Sequence, residues 1–255
     1  MVASIFAAAA FWGFFIERHR LIEKTYYIDG LPEEIILIAD LHLRCELKLF
    51  EKVAEAIMKN PAGILISAGD TFETIKDYRI LKAFAGKACY FVLGNNDYGN
   101  INSYGREMKI KALLKKYGVK VLQNGSVSED SLTVIGVDDP HKKKQNIEKA
   151  FRDIPEGTFR LAVVHSPEAN MEILKMSPDL VFYGHTHGGQ IRVPFIGSIF
   201  DNTEKCLKTP LGVHRIGNTV FVHSSGIGTT LFPLRFLNPP EIIYLKPSKK
   251  EIPGS

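Results

Sequence analysis

Residues 35–42 read IILIADLH, an apolar run that ends in an aspartate, a leucine and a histidine. A short continuous apolar run rich in β-branched residues is typical of a buried strand. The same pattern returns in ILISAGD at residues 64–70 and in CYFVLGNND at residues 89–97. Segments with helical spacing of apolar residues separate these runs. The first half of the chain therefore predicts parallel strands joined by helices.

The second half has more strands and shorter links, which predicts a mixed or antiparallel sheet. Strands are predicted over residues 35–39, 64–68, 90–93, 119–122, 132–137, 161–164, 180–183, 213–216, 220–222 and 242–245. Helices are predicted over residues 47–59, 74–85, 105–117, 147–154 and 168–175. A chain of 255 residues without an internal repeat favours one α/β domain, with two sheets and helices outside them.

Five of the predicted strands are followed at once by side chains that bind metal ions. In an open α/β sheet, sites form beyond the carboxyl ends of the strands, so these endings are expected to converge. Each ending also has an ordinary explanation when it is taken alone, because Gly-Asp and Gly-Asn are common turn dipeptides. Their repetition after five strands favours a metal site. The candidate ligands are Asp40, His42, Asp70, Asn95, His165, His185 and His187.

These endings resemble the blocks of the calcineurin-like metallophosphoesterase superfamily, which read D-x-H, G-D, G-N-H-[DE], H and G-H-x-H. The resemblance covers roughly residues 30–246. GHTHGGQIRVP at 184–194 and SSGIGTTLFPLRFLNPPEI at 224–242 are similar to a membrane-associated phosphohydrolase branch. That branch includes proteins described as resembling UDP-2,3-diacylglucosamine pyrophosphatase. The resemblance implies an α/β fold, a four-layer α-β-β-α sandwich of two mixed sheets.

The resemblance also implies two divalent ions that share Asp70. One ion would be bound by Asp40, His42, Asp70 and His187, and the other by Asp70, Asn95, His165 and His185. Mixed nitrogen and oxygen ligands favour Mn, Fe, Zn or Ni over Ca or Mg. The expected activity is hydrolysis of a phosphodiester or pyrophosphate by a hydroxide that bridges the metals.

The third block departs from the superfamily pattern, because Asn96 stands where the family has a histidine. An amide donates a hydrogen bond but cannot supply a proton at neutral pH. The loss of a general acid typically costs ~10²–10⁴ in rate, so alkyl monoesters are expected to be poor substrates. Asp97 is expected to orient a histidine ligand, with His165 as one candidate.

Two further residues are candidates for substrate contacts. Gln190 follows the GHTHGG segment and is expected to support it near the metals. Arg235 would bind a phosphate or a lipid head group, and a structural or surface arginine is the alternative. A phosphate-ester small molecule or lipid head group is therefore the expected partner.

Two other functions stay open: a non-catalytic scaffold that keeps the fold, and a nuclease of the same superfamily. The basic residues are scattered and the formal net charge is only +4, so no nucleic-acid partner is expected. A scaffold is disfavoured because all seven candidate positions hold residues that can coordinate metal.

The first 16 residues, MVASIFAAAAFWGFFI, contain one polar side chain and are followed by charged residues from Glu17 to Arg20. A helix of this length reaches ~24 Å, slightly short of a ~30 Å hydrocarbon layer. Residues 1–20 are predicted to be a membrane-anchor or signal-like segment ahead of a domain at 21–255, and a helix buried against the domain is the alternative. The following positive charges favour the cytoplasmic side of the cell membrane. A cytoplasmic or exported protein remains the alternative.

Overall fold

The computed structural model describes residues 2–43, 47–73, 78–99, 105–198, 206–230 and 232–248. Its framework is a pair of six-stranded sheets that pack face to face. The first sheet has the strand order β1-β14-β2-β3-β4-β5. Its strands are β1 (Ile22–Ile28), β2 (Ile35–Ile38), β3 (Ile64–Ser67), β4 (Ala88–Phe91), β5 (Val119–Val121) and β14 (Glu241–Pro247).

The second sheet has the order β12-β13-β9-β8-β7-β6. Its strands are β6 (Gly125–Glu129), β7 (Leu132–Gly136), β8 (Phe159–Val163), β9 (Leu180–Tyr183), β12 (Gly212–Ile216) and β13 (Thr219–His223). A separate two-stranded hairpin consists of β10 (Arg192–Val193) and β11 (Gly197–Ser198).

Helices cover the outer face of each sheet. The α-helices are α1 (Val2–Phe11), α2 (Leu47–Lys59), α3 (Asn95–Tyr98), α4 (Arg106–Lys116), α5 (Ile147–Ala150) and α6 (Asn170–Lys175). Residues of α2 and α4 pack against the first sheet, and residues of α5 and α6 pack against the second. The layers therefore follow the order α-β-β-α, which confirms the predicted four-layer sandwich of two mixed sheets.

Alternation along β2 shows how one strand serves two cores. Ile35 and Leu37 belong to the cluster between the sheets, whereas Ile36 and Ile38 belong to the cluster under the helices. Successive side chains of a strand point to opposite faces, so a strand covered on both faces is apolar throughout. This is why IILIA reads as an unbroken apolar run.

Strand directions follow the sequence prediction in the first half of the chain. β2, β3, β4 and β5 are parallel neighbours. The second sheet is mixed, because β6 and β12 pair antiparallel with β7 and β13 at its two edges. Parallel strands place their carboxyl ends on one side of the sheet, and this side carries the candidate ligands.

Two of the four edge strands of the large sheets were missed by the sequence analysis, whereas β5 and β12 were predicted. β1 alternates partly buried and exposed residues, and β6 has the sequence GSVSE with no fully buried residue. Both lie at a sheet edge. A strand that is covered on fewer sides needs no continuous apolar run, so the pattern that identified the central strands is absent there.

Three predicted helices differ from the observed ones. Within the predicted helix at 74–85, residues 74–77 lie outside the described part, and the remainder contains a 3₁₀ helix at Arg79–Phe84. The predicted helix at 147–154 ends at Ala150. The helix predicted at 168–175 begins as a 3₁₀ turn, Pro167–Ala169, and continues as α6.

The apolar N-terminal segment is helical. α1 is followed by a π-helical turn at Trp12–Ile16 and a 3₁₀ turn at Glu17–His19. Within the part of the chain that is described, no helix combines the length and the apolar character needed to cross a membrane.

Candidate metal centre

The seven candidate ligands follow the carboxyl ends of five strands, three in the first sheet and two in the second. β2 leads to Asp40 and His42, β3 to Asp70, and β4 to Asn95 at the start of α3. β8 leads to His165, and β9 leads to His185 and His187. The two sheets face each other, so these strand ends meet at one end of the sandwich.

Five of the seven candidates share a backbone conformation that is rare outside glycine. Their φ angles lie between 43° and 69°: Asp40, His42, Asp70, His185 and His187. A left-handed conformation costs roughly 1–2 kcal/mol for a residue with a Cβ. Such strain persists where the surrounding structure fixes the chain, and it is concentrated at functional sites.

Backbone hydrogen bonds hold two of these turns together. The amides of Asp40 and His42 donate to the carbonyls of Gly69 and Asp70 at 3.0 and 2.9 Å. The loops after β2 and β3 are thus paired beyond the sheet proper. These hydrogen bonds continue the strand pairing, and they also orient the side chains of the two loops toward the site.

One group of side chains surrounds His42 and His187. Their Nε2 atoms lie 3.0 Å apart. Asp40 Oδ1 is 3.8 Å from His187 Nε2, and Asp70 Oδ2 is 3.5 Å from His42 Nε2. All four side chains are almost completely buried. Three of them, Asp40, His42 and His187, place their ligand atoms close enough together to hold one ion.

A second group surrounds His165. Its Nε2 lies 3.0 Å from His185 Nδ1, 3.1 Å from Asn95 Oδ1 and 3.4 Å from Asp70 Oδ2. The oxygen Asp70 Oδ2 therefore faces a histidine of each group. Asp40, Asp70 and His165 also have ligand atoms within reach of one ion.

Hydrogen bonds at the Nδ1 atoms of His42 and His165 orient these two rings. His165 Nδ1 donates to the carbonyl of Ala68 at 2.8 Å, and His42 Nδ1 lies 3.1 Å from Glu73 Oε2. When the ring is neutral, as it is when it binds a metal, an imidazole that donates at Nδ1 presents the lone pair of Nε2. At His165 this lone pair meets two oxygen acceptors. Convergent acceptors in a buried site are stabilised by a cation, so the residues fit a metal.

The carboxylates respond differently to the same environment. Burial raises the pKa of Asp40 to about 6, although His165 opposes the rise. Burial also raises the pKa of Asp70, but His165, His42 and Asn96 outweigh it and hold this pKa below its ordinary value.

The imidazoles form two classes. Burial lowers the pKa of His42 and of His165, but neighbouring carboxylates outweigh it and raise both above the ordinary value. Burial lowers the pKa of His185 to about 3, with a further contribution from His165. Burial, His42 and Arg235 lower the pKa of His187. The two histidines of the GHTH segment are therefore neutral, which is the state that binds metal.

The profile of the calcineurin-like phosphoesterase superfamily domain matches residues 34–194, more than half of the chain. The chain belongs to this superfamily. It is a metal-dependent phosphoesterase.

Three relatives illustrate this membership of the superfamily. The chain is 29% identical over 231 residues to the uncharacterized metallophosphoesterase YkuE of Bacillus subtilis, with 84% of this chain and 78% of that protein covered. It is 29% identical to phosphodiesterase YaeI of Escherichia coli, with 90% and 86% covered. Identity to UDP-2,3-diacylglucosamine pyrophosphatase LpxG of Chlamydia trachomatis is 24%, with 69% of each covered.

One solved crystal structure has the same fold. It is 14% identical and superposes with a TM-score of 0.52, covering 77% of this chain and 91% of its own. At this identity the similarity supports the fold alone.

Asn96, the departure from the superfamily pattern, binds the central carboxylate. Its side-chain amide donates to Asp70 Oδ2 at 2.6 Å, and its backbone amide donates to Asp70 Oδ1 at 2.8 Å. These contacts explain part of the low pKa of Asp70. The amide of Asn96 thus stabilises the charged form of a candidate ligand.

Asp97 contacts backbone rather than a histidine. Its carboxylate accepts hydrogen bonds from the amides of Thr71, Phe72 and Gly94 at 3.1–3.3 Å. The sequence predicts that Asp97 orients a ligand such as His165, but the ring of His165 is oriented by the backbone carbonyl of Ala68. Asp97 ties the loop after β3 to the loop after β4.

The two candidate substrate residues are structural. Arg235 is completely buried, and its guanidinium donates to the carbonyls of Ser225, Gly228 and Asn238 and lies 3.4 Å from His187 Nδ1. It is a buried structural arginine rather than a phosphate ligand open to solvent. Gln190 donates to the carbonyl of Thr230 at 3.0 Å, so it ties the segment after GHTHGG to the loop that contains Thr230.

Some residues around the centre were missed by the sequence analysis. Glu73 orients His42. His223 Nδ1 donates to the carbonyl of Thr209, and its Nε2 lies 2.6 Å from Thr186 Oγ1, inside the GHTH turn. His223 ends the apolar run of β13, so it carried the same strand-then-histidine signal as His165.

A sixth strand also leads to the edge of the site. β7 is followed by Asp139, whose carboxylate accepts hydrogen bonds from the amides of His141 and Lys142. The ring of His141 is partly exposed, and its centroid lies 5.5 Å from that of His185. The sequence GVDDP after an apolar run was the available signal.

Two motif glycines are needed because neighbouring carboxylates approach them closely. A Cβ at Gly94 would lie 2.2 Å from Asp70 Oδ1, and a Cβ at Gly184 would lie 2.3 Å from Asp40 Oδ2. Neither distance is sterically possible, so the glycines before Asn95 and His185 provide space for the ligands.

Gly184→Ala is expected to displace Asp40 and to reduce bound metal, because its Cβ would overlap the carboxylate. Overpacking of this kind typically costs about 1–3 kcal/mol of stability. Gly63→Ala is the matched control, since a Cβ there meets nothing within 4 Å. Elemental analysis of both purified variants checks the prediction, and equal metal content in the two would contradict it.

His223 is expected to make the protein sensitive to acid. Burial lowers its pKa to about 4, whereas in the unfolded chain the ring titrates near 6.5. Between pH 4 and about pH 6.5 the unfolded chain therefore binds more protons than the folded chain. The contribution of neutral His223 to the free energy of unfolding is therefore fully present above about pH 6.5. It is lost as the pH falls toward 4, by an amount on the order of 3 kcal/mol.

Urea unfolding from pH 7 to pH 4 checks this prediction by comparison of the wild type with His223→Gln. The free energy of unfolding of the wild type is expected to fall more steeply over this range. Parallel curves for the two proteins would show that His223 is not the group responsible.

Proposed function

We propose that this phosphoesterase hydrolyses a phosphodiester or pyrophosphate bond by means of two divalent ions. The observation that carries the proposal is the position of Asp70 Oδ2, which lies 3.5 Å from His42 Nε2 and 3.4 Å from His165 Nε2. A carboxylate oxygen between two histidine groups suits a ligand shared by two ions ~3.5–4 Å apart.

The two groups of side chains would each hold one ion. Asp40, His42, Asp70 and His187 would form the first site, and Asp70, Asn95, His165 and His185 the second. The mixture of imidazole, carboxylate and amide ligands favours Mn, Fe, Zn or Ni. When bound, such ions lower the pKa of water and neutralise phosphoryl oxygens.

The charge of the ligands suits an anionic substrate. Two divalent ions contribute +4, and the carboxylates of Asp40 and Asp70 remove 2. The imidazoles of His185 and His187 are neutral because burial lowers their pKa. The loaded centre would therefore stay positive and attract a phosphoryl group. An all-carboxylate ligand set would repel it.

Asn96 determines which leaving groups are tolerated. Its amide donates to Asp70 and holds no proton that it can transfer at neutral pH. Aryl leaving groups and the phosphate released from a pyrophosphate need little protonation. An alkoxide released from a monoester needs a proton, so simple alkyl monoesters are the least suitable substrates.

The substrate is proposed to be linked to a lipid or a nucleotide. The names of two relatives support this class: one is a phosphodiesterase, and the other is a pyrophosphatase that acts on UDP-2,3-diacylglucosamine. The apolar segment at residues 1–16 supports a protein that works at a membrane, with the segment attached ahead of the phosphoesterase domain. The cytoplasmic side is proposed from the basic residues that follow it.

Substitution of the proposed ligands is expected to abolish hydrolysis of a bis-aryl phosphodiester. Changes in residues that only orient metal ligands typically cost 10–100-fold, so Asp70→Asn and His185→Ala should each cost more than about 10²-fold. Asp130→Asn, in the turn between β6 and β7, is the matched control and should retain full activity. Metal content is measured in the same preparations.

The outcome separates the alternatives. Activity that survives both ligand substitutions would exclude the metal mechanism. Metal binding without hydrolysis of any diester or pyrophosphate would favour a scaffold. Degradation of DNA or RNA faster than of small diesters would favour a nuclease.

Asn96→His is expected to supply the missing proton donor. Hydrolysis of an alkyl phosphomonoester should rise by about 10²-fold, the lower end of what a general acid contributes. Hydrolysis of the bis-aryl diester should change much less, because its leaving group needs no proton. An equal change in both rates, measured at saturating metal, would contradict the role assigned to position 96.

A further inference from the structure

Three segments near the metal centre expose large apolar side chains. They are the N-terminal segment at residues 2–19, the tip of the β10–β11 hairpin, and the loop at 232–238. We call their exposed side chains the apolar surface. Its members are Phe11, Trp12, Phe15, Ile16, Phe195, Ile196, Phe232 and Leu237.

Polar contacts fix the N-terminal segment on the loop. Glu17 is buried, and its two carboxylate oxygens accept hydrogen bonds from the Asn238 amide at 2.7 Å and the Trp12 indole at 2.9 Å. Gly13 is also buried, and a Cβ there would lie 2.4 Å from Leu234 Cδ1. One side of the segment is therefore packed against the domain, and the aromatic side chains of Phe11 and Phe15 remain exposed.

The hairpin is held on the same loop by backbone hydrogen bonds. The Arg192 amide donates to the Phe236 carbonyl at 2.9 Å, and the Phe236 amide donates to the Gln190 carbonyl at 3.0 Å. Phe195 at the tip is fully exposed, and Ile196 is 76% exposed. The N-terminal segment and the hairpin therefore both contact this loop.

Basic side chains border the apolar surface. Arg18 donates to the Pro233 carbonyl at 3.2 Å, and Lys52 of α2 donates to the His19 carbonyl at 3.0 Å. Arg20 is exposed at the end of the segment. The acid of this segment, Glu17, is buried, and both of its carboxylate oxygens accept hydrogen bonds.

The apolar surface adjoins the metal centre. Asn238 of the loop donates to the His187 carbonyl at 2.6 Å, and Arg235 lies 3.4 Å from His187 Nδ1. A molecule held against the loop is therefore next to a proposed metal ligand.

We propose that the apolar surface docks into the interface of a bilayer that contains anionic phospholipids. Aromatic and aliphatic side chains bordered by arginine and lysine match the acyl boundary and the charged head groups of such a bilayer. An apolar surface of this kind, bordered by polar residues, marks an interaction site rather than ordinary solvent-exposed surface. The inference deepens the proposed membrane association, because it identifies three segments as one docking surface and places the metal centre beside the lipid.

Vesicle flotation with the full chain tests the proposal. The protein is expected to float with vesicles of phosphatidylcholine and phosphatidylglycerol, and to bind less to phosphatidylcholine alone or at high salt. Trp12 is the single tryptophan of the chain, so its emission reports on this surface. A blue shift, and quenching by brominated lipid, are expected on binding.

Variants separate the contribution of each segment. Phe15→Ser in the N-terminal segment and Ile196→Ser in the hairpin are each expected to weaken vesicle binding about tenfold, since each removes a large apolar side chain from the lipid. Met108→Ser is the matched control, because this exposed methionine lies on α4. α4 packs on β5, at the sheet edge opposite to β1.

Three results would overturn the proposal. The first is that the wild type fails to float with anionic vesicles. The second is that Phe15→Ser weakens binding while Ile196→Ser does not, which would mean that the N-terminal segment binds alone. The third is that the wild type binds no vesicles and is a dimer that Ile196→Ser dissociates. None of these measurements involves turnover. Hydrolysis of a soluble bis-aryl diester by the same variants is expected to be unchanged, so a failure of docking is distinguishable from a failure of the proposed function.

Discussion

The burial of two carboxylates, Asp40 and Asp70, is the constraint on which the rest of the structure depends. Neither side chain is more than 2% exposed. A buried charge is costly unless hydrogen bonds and opposite charges compensate it. Asp40 accepts from the amide of His185, which follows β9 of the other sheet, and Asp70 accepts from both amides of Asn96. The need to satisfy these carboxylates therefore holds the ends of both sheets together.

This constraint also explains the local geometry around the centre. Gly94 and Gly184 leave room for a carboxylate oxygen where any Cβ would collide with it. Left-handed backbone at the ligands turns each side chain away from its strand and into the site. The strain is tolerated because the turns after β2 and β3 are hydrogen-bonded to each other. The site is thus built by strand ends, and its candidate ligands are preorganised.

The loop at 232–238 connects the centre with the N-terminal segment. Arg235 approaches His187 with its guanidinium, and its backbone amide donates to the Gly13 carbonyl at 3.4 Å. Buried Glu17 caps the Asn238 amide from the same side. The carboxyl-terminal end of the apolar segment, at Gly13 and Glu17, is therefore packed against the phosphoesterase domain. The loop that it contacts also contacts His187 in the catalytic centre. This arrangement suits an enzyme whose substrate is presented from a surface.

The sequence by itself determined the central strands and the ligand types, because an apolar run followed at once by a polar group is a local pattern. It also exposed the departure at Asn96. The edge strands β1 and β6 escaped it, since neither has a continuous apolar run. Only the tertiary structure decided the partners of the ligands. Glu73 meets His42 across 31 residues and His223 meets Thr186 across 37, and Arg235 is buried rather than open to substrate. Such contacts depend on which strands become neighbours, and the position of β14 between β1 and β2 shows that neighbours in a sheet need not be neighbours in the chain.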